Sequence, residues 1–155
     1  MNRVATSAVA LAALGGVVLA ATPAEAASLK ARALSVAKAQ NGDPWRKGAT
    51  GPNAFDCSGL TYYSYKKVGK TLPRTAQGQY NKSKKVSPSN RQVGDLVFIG
   101  RSSGGIYHVG IYAGFWSGKG WMTNANSGSY RGKRVGTYPI SEYTSGAPRA
   151  YYGRY

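Results

Sequence analysis

The segment Phe55–Leu60 reads FDCSGL and contains the only cysteine of the 155-residue chain. Asp56 is a residue type that commonly caps a helix, and the pattern over Cys57–Val68 predicts a helix, with Gly69 just past its end. Cys57 therefore lies in the predicted first turn, where free backbone N–H groups and the helix dipole favour a thiolate. The Asp56 carboxylate opposes this effect unless it is turned toward the helix cap or toward a substrate cation.

Helical patterns come first in the chain and strand patterns come later. Ser28 is expected to cap a helix that ends at 41–42, a short helix is expected after Thr75, and 81–91 is expected to be a loop. Glycine-rich turns separate the strand-like segments, which are 95–100, 106–113, 120–124, 134–138 and 149–152. This order predicts an α+β domain in which an antiparallel sheet packs against the helix that begins at Cys57.

The first 26 residues have the pattern of a secretory signal peptide. Arg3 is followed by a nearly continuous apolar run over 4–21 and by an A-x-A cleavage pattern at 24–26. A membrane anchor is the alternative, but the run is rich in alanine and no basic cluster follows it. We therefore expect 1–26 to be removed, 27–155 to form a single domain, and the protein to be secreted without a stable membrane anchor.

The charge of the chain is strongly one-sided, with 21 Lys and Arg residues against 5 Asp and Glu residues and a net charge of +16. Such a field attracts polyanions in a salt-dependent way. Outside a cell the expected polyanion is an anionic polymer of the envelope, and nucleic acid is not expected as a partner there. Charge that serves only solubility is the alternative interpretation.

His108 is the only histidine, and an active cysteine needs a base of this type to accept and return its proton. The imidazole is expected to project away from the more apolar face of its strand. The following strand should then bring Asn124 or Asn126 near the ring. Taken separately, a cysteine and a histidine are often inert core residues. One of each cannot fill a zinc site, so no metal is expected.

Four segments in register resemble the NlpC/P-sixty family of papain-like cell-wall cysteine peptidases, and they are FDCSGL (55–60), LPRTAQGQ (72–79), VGDLVFIG (93–100) and HVGIYAG (108–114). The resemblance covers about 31–126. It implies a papain-like α+β fold, with N-terminal helices packed on an antiparallel sheet, and a thiol protease with no metal or organic cofactor. It also implies hydrolysis of peptidoglycan stem peptides, commonly between D-glutamate and diaminopimelate.

The resemblance also implies roles for individual residues. Cys57 matches the nucleophile, His108 matches the base, and Asn124 matches the third polar residue of the catalytic set. Asn126 is an alternative for this third position. The Cys57 backbone N–H is expected to help hold the oxyanion.

Three further residues are expected to bind substrate. Asp56 and Ser58 flank the nucleophile and match positions that grip the amino end of the substrate in some family members. Trp45 stands where a tyrosine is usual in the family. This departure removes a hydroxyl group, and an indole N–H can only donate a hydrogen bond.

The resulting hypothesis is a monomeric cysteine endopeptidase, extracellular or associated with the cell wall, that acts on peptidoglycan stems through an acyl-enzyme. One alternative keeps the fold but is an amidase or an acyl-transferring enzyme. Another is a non-catalytic basic protein that binds wall polymers or nucleic acid through the segments YRGKRVGTY (130–138) and RAYYGRY (149–155). Replacement of Cys57 separates the enzymes from the binding protein.

Overall fold

A computed structural model describes Gly16, Ala20, 22–129 and 131–155. Most of the expected signal peptide, including Arg3, therefore lies outside the described residues, as does Tyr130. Within the described part of the chain, no helix combines the length and apolar character needed to cross a membrane.

Among the described residues, three α-helices come before most of the strands, and they are α1 (Pro23–Ala39), α2 (Cys57–Lys67) and α3 (Ala76–Lys82). The predicted caps of α2 and α3 are confirmed, because the side chains of Asp56 and Thr75 accept hydrogen bonds from Gly59 N and Gly78 N. The prediction that Ser28 caps α1 was wrong, since this helix begins at Pro23. Proline is well suited to a first helical position, and the alanine-rich residues that follow favour a helix.

In the part of the chain that the structure describes, six strands form one sheet, and they are β1 (Lys84–Val86), β2 (Leu96–Gly100), β3 (Ile106–Trp116), β4 (Lys119–Ala125), β5 (Val135–Pro139) and β6 (Arg149–Arg154). Their order is β1-β6-β2-β3-β4-β5, and all neighbours are antiparallel. The five predicted strands are confirmed with small shifts at their ends. Strand β1 falls in the predicted loop 81–91, because three largely polar residues carry no readable alternation.

Both faces of the sheet are covered. The helices cover one face, where Val109 and Ile111 of β3 join Phe55 and Leu60 in the larger hydrophobic core. On the other face a smaller cluster includes Tyr112 and packs beneath a short 3₁₀ helix, Ile140–Tyr143. The alternation predicted for β3 therefore holds, with the more apolar face toward the helices.

The FDCSGL segment positions the start of α2 through a helix cap, a close backbone contact and a buried leucine. Asp56 Oδ1 accepts a hydrogen bond of 2.6 Å from Gly59 N. A Cβ atom at Gly59 would lie 2.0 Å from the carbonyl oxygen of Ala49, so this position has room for glycine alone. Leu60 is fully buried in the larger core. The segment thus sets the place at which Cys57 begins the helix.

Candidate active site

Cys57 and His108 line one cavity of about 400 Å³. The cavity is walled by aromatic and polar residues from the loop before α2, from β3 and from the segments after β4, and these are Trp45, Lys47, Asp56, Tyr107, Asn126, Ser127, Gly128, Arg131, Glu142 and Tyr143. Asn124 and Ser58 lie just behind this wall, where each contacts a lining residue. The predicted site residues are therefore brought into one region.

Cys57 is the first residue of α2 and is half-buried. Burial raises the pKa of its thiol, a backbone hydrogen bond from Val109 lowers it, and the charge of Asp56 raises it. The backbone N–H groups at the helix start act in the expected direction, but burial outweighs them and the pKa of the thiol is raised. The contact with Val109 brings the thiol to β3 beside His108.

His108 is buried, and its Nε2 lies 3.0 Å from Asn124 Oδ1. Since an amide oxygen only accepts, Nε2 carries the proton, and Nδ1 of the neutral ring is left as the acceptor. Burial lowers the pKa of His108 to about 4, although the hydrogen bond to Asn124 raises it. The imidazole is therefore neutral at pH 7.

The close approach of β3 and β4 depends on Gly110. A Cβ atom at this position would lie 3.0 Å from the Cβ of Asn124, closer than side chains normally pack. Because Gly110 has no side chain, Asn124 of β4 can reach the ring of His108, which lies two residues before Gly110 in β3. The space that Gly110 leaves beside the histidine is thus filled by the asparagine.

Asn126 contacts the following loop instead of the imidazole. Its Nδ2 donates to the carbonyl oxygens of Gly128 and Gly132, each at 3.0 Å. Its Oδ1 accepts from Gly128 N at 3.3 Å. Of the two asparagines that the sequence left open, the ring contact belongs to Asn124.

Tyr143 is a site residue that the sequence did not single out. Its ring stacks on His108 with centroids 5.2 Å apart and planes 7° from parallel. Its hydroxyl lies 3.2 Å from Asn124 Oδ1 and 3.1 Å from Asn126 Oδ1, and its single proton can serve one of them at a time. Tyr143 therefore contacts both the base and the residue that orients it.

The carboxylate of Asp56 is held by groups of the chain itself. Arg74 reaches it with two nitrogens, Nη2 to Oδ2 at 2.7 Å and Nη1 to Oδ1 at 3.1 Å. Gly48 N and Gly59 N donate to it as well. Arg74 Nη1 also donates to Ser58 Oγ at 2.9 Å. Asp56 is thus turned toward the helix cap and an arginine, one of the orientations that the sequence left open.

Trp45 lines the cavity from the loop before α2. Its backbone N–H donates to Lys133 O at 2.8 Å, and Lys133 Nζ lies 5.9 Å from its ring centroid. The loop that carries Trp45 is therefore tied to the loop before β5. Among the residues that the structure describes, no group of three His, Cys, Asp or Glu side chains could hold a metal ion.

A helix that begins with a cysteine, packed against an antiparallel sheet whose adjacent strands present a histidine and an asparagine, defines a papain-like α+β domain. The chain belongs to the NlpC/P60 family, whose sequence model matches residues 42–148.

A curated relative gives the likeness in sequence. The chain is 48% identical over 88 residues to the bifunctional muramidase/DL-endopeptidase CwlT of Bacillus subtilis strain 168, and the match covers 55% of this chain and 26% of that protein. The chain spans less than half the length of the curated relatives that it matches.

Two solved structures from Mycobacterium tuberculosis give the likeness in fold. The peptidoglycan hydrolase RipB matches with a TM-score of 0.71 and 27% identity over 86% of this chain and 68% of that chain. RipD, described as a non-catalytic NlpC/p60 domain protein adapted to peptidoglycan binding, matches with a TM-score of 0.64 and 28% identity over 81% of this chain and 96% of that chain. The family therefore includes both hydrolases and binding proteins, and the site residues must decide between them.

Proposed function

We propose that this chain is a secreted cysteine endopeptidase of the cell wall that cleaves peptidoglycan stem peptides between D-glutamate and diaminopimelate. The observation that carries the proposal is the pair of Cys57 and His108 on one cavity, with the ring of His108 hydrogen-bonded to Asn124. The name of the relative CwlT, a DL-endopeptidase, supports the proposed bond.

Acylation begins with a proton transfer inside the pair. Burial raises the pKa of Cys57 and lowers that of His108, so both groups are neutral before substrate binds. Nδ1 of His108 takes the thiol proton as the sulfur attacks the amide carbonyl, and the carbonyl oxygen becomes an oxyanion. The Cys57 backbone N–H at the start of α2 donates to this oxyanion.

The same groups complete acylation and then hydrolyse the acyl-enzyme. The imidazolium of His108 gives its proton to the leaving amine, and a thioester to Cys57 remains. Neutral Nδ1 then takes a proton from water, the hydroxide attacks the thioester, and the thiol regains its proton. Asn124 accepts from Nε2 throughout, which holds the ring in one orientation and stabilises its charged form.

The central experiment digests purified peptidoglycan with the wild-type protein and with variants, and identifies the fragments by mass. Cys57→Ala and His108→Ala should release nothing, whereas Asn124→Ala should retain some activity, because a residue that orients contributes less than the pair it orients. Fragments cut within the stem support an endopeptidase. Whole stems freed from the glycan indicate an amidase, newly joined stems indicate acyl transfer, and no wild-type products indicate a binding protein.

The surroundings of Cys57 also indicate which stems are accepted. The charge of Asp56 is already balanced by Arg74, and Trp45 cannot accept a hydrogen bond from a substrate ammonium. The hydroxyl of Ser58 is buried and already accepts from Arg74, so a free amino end would find few uncommitted acceptors next to Cys57. We expect stems whose first amine is acylated to be cleaved at least as fast as stems with a free amine.

Two synthetic stem peptides that differ only in acylation of the first amine test this expectation by their initial rates. The Trp45→Tyr variant serves as the matched comparison, because it restores a hydroxyl that can accept from an ammonium. Its preference should shift toward the free amine. Cleavage confined to the free-amine peptide by the wild-type protein would contradict the expectation and would make Asp56 an amine-binding residue.

A further inference from the structure

A second cavity, of about 460 Å³, shares a wall with the first one. The short helix Ile140–Tyr143 lies between them, since Glu142 and Tyr143 line the catalytic cavity while Ile140 and Ser141 line the second. A ligand in the second cavity would thus be held next to the catalytic site without occupying it.

Three cationic side chains line this second cavity, and they come from separate parts of the chain. Arg91 precedes β2, Lys119 begins β4 and Arg149 begins β6. No carboxylate of the described residues lines the cavity, and none of the three cations forms an ion pair within the described part of the chain. The positive charge that converges here is therefore available to an anion.

The guanidinium of Arg91 is held in place by two aromatic rings. Its central carbon lies 5.1 Å from the ring centroid of Tyr112 and 5.3 Å from that of Tyr152, and both rings are buried. A guanidinium fixed in this way loses little freedom when it binds, and its planar fork matches a phosphate group. The exposed side chain of Ser141 adds a hydroxyl donor to the same cavity.

We propose that this second cavity, named the basic cavity, binds phosphodiester groups of an anionic wall polymer. Its volume exceeds that of a single small ion, so it can hold a polymer unit together with its phosphate. An anion held there would keep the polymer beside the catalytic cavity and raise the local concentration of the attached wall. The choice of a wall polymer rests on the proposed function, whereas the presence of an anion site does not.

The test compares two triple variants that remove equal charge. Arg91→Gln, Lys119→Gln and Arg149→Gln neutralise the basic cavity, and the matched control neutralises three exposed cations elsewhere, Lys38→Gln, Lys82→Gln and Arg101→Gln. The probe is a purified poly(glycerol phosphate) chain, and its Kd is measured by titration calorimetry at two salt concentrations. We expect the cavity variant to bind at least about tenfold more weakly, and the control to change by less than about threefold.

A third variant guards against misfolding. Lys119→Arg and Arg149→Lys keep the charge and leave the stacked Arg91 unchanged, so this protein should bind within about threefold of the wild type. Equal weakening in the cavity variant and the control would overturn the proposal, because the attraction would then belong to the whole surface. A DNA single strand of equal charge that binds the wild type as tightly as the polymer would overturn the assignment to a wall polymer.

The binding measurement involves no peptide bond. Peptidoglycan that is still hydrolysed by Cys57→Ala would therefore overturn the proposed function and leave the basic cavity untouched, while failure of the calorimetry would leave the proposed hydrolysis intact.

Discussion

At the scale of single residues, the environment of the thiol depends on how the charge of Asp56 is compensated. This carboxylate lies directly before Cys57 and raises the pKa of its thiol. Arg74 opposes this effect, since it binds both carboxylate oxygens and also donates to Ser58. The arginine thus acts on the nucleophile through the residue next to it.

We predict that Arg74→Ala raises the pKa of Cys57 further, because the charge of Asp56 is then left unbalanced beside the sulfur. The rate of alkylation by iodoacetamide at pH 7 should fall by about tenfold, because a smaller fraction of the thiol is then ionised. Arg74→Lys should lie between the two, because it restores charge without the second hydrogen bond.

The control for this prediction is Arg101→Ala, which removes an exposed cation and should leave the alkylation rate unchanged. If the alkylation rate of Arg74→Ala has the same midpoint against pH as that of the wild type, the charge of Asp56 is balanced by solvent or by the helix cap alone.

Tyr143 contributes to the geometry of His108 through two separable contacts. Tyr143→Phe keeps the stacked ring but removes the hydroxyl that serves Asn124 and Asn126. We expect kcat on a stem peptide to fall by about three- to tenfold with little change in KM, as for the loss of one hydrogen bond. Tyr143→Ala removes the stack as well and should lose more.

Tyr107→Phe is the matched control, since Tyr107 lines the same cavity but is exposed. Its kcat should stay within about twofold of the wild type. A rise in KM with unchanged kcat for Tyr143→Phe would mean that the hydroxyl binds substrate and does not position the base.

At the scale of elements, the place of α2 depends on one close approach. The Cβ of an alanine at position 59 would lie 2.0 Å from the carbonyl oxygen of Ala49, so either the helix start or the loop must move. We predict that Gly59→Ala destabilises the fold by about 3 kcal/mol, because a backbone contact cannot relax as a flexible side chain can. Urea unfolding measures this change.

Ser64→Ala is the control within the same helix. Its hydroxyl is buried, and it has no hydrogen-bond partner among the described residues. Removing this group should be neutral or stabilising, because alanine favours the helix and an unsatisfied polar atom is lost. A loss of stability for Ser64→Ala equal to that of Gly59→Ala would show that α2 tolerates no change of volume and that the contact at Gly59 is not special.

The elements differ in how far the sequence could predict them. The caps at Asp56 and Thr75 and the alternation in β3 are local patterns, and the structure confirms them. Strand β1 forms because it pairs with the edge of β6. That pairing is a tertiary contact, and a pattern of three residues cannot predict it. The pairing of Arg74 with Asp56 and the stacking of Tyr143 on His108 join residues 18 or more positions apart, so periodicity could not reveal them.

At the scale of the whole molecule, Asp95 joins elements from both ends of the described chain. Its buried carboxylate accepts from Lys30 in α1 at 2.8 Å, from Arg154 in β6 at 2.8 Å, and from the backbone N–H of Gln92 at 2.7 Å. Burial alone would raise the pKa of Asp95, but the hydrogen bonds from Arg154 and Lys30 outweigh it and hold the pKa below its ordinary value. The charge of this residue therefore stabilises the fold.

The stabilisation by Asp95 should depend on pH in a defined direction. Because its pKa is lower in the folded protein than the ordinary value of 3.8, the contribution is complete above that pH and is lost as the pH falls through the folded-state pKa. We predict that Asp95→Asn lowers the free energy of unfolding at pH 7 by about 3 kcal/mol, since the buried charge of Lys30 then has no carboxylate to balance it and keeps only the hydrogen bond to Gln92 Oε1.

The difference between the wild type and Asp95→Asn should shrink as the pH falls from 4 toward about 2, because the wild-type carboxyl then also loses its charge. Urea unfolding across this range measures the difference. Glu142→Gln is the control, since it breaks the more exposed pair with Arg131 and should cost at most about 1 kcal/mol. A penalty for Asp95→Asn that stays constant with pH would mean that the asparagine acts through its shape, and that the charge of Asp95 does not hold α1 to β6.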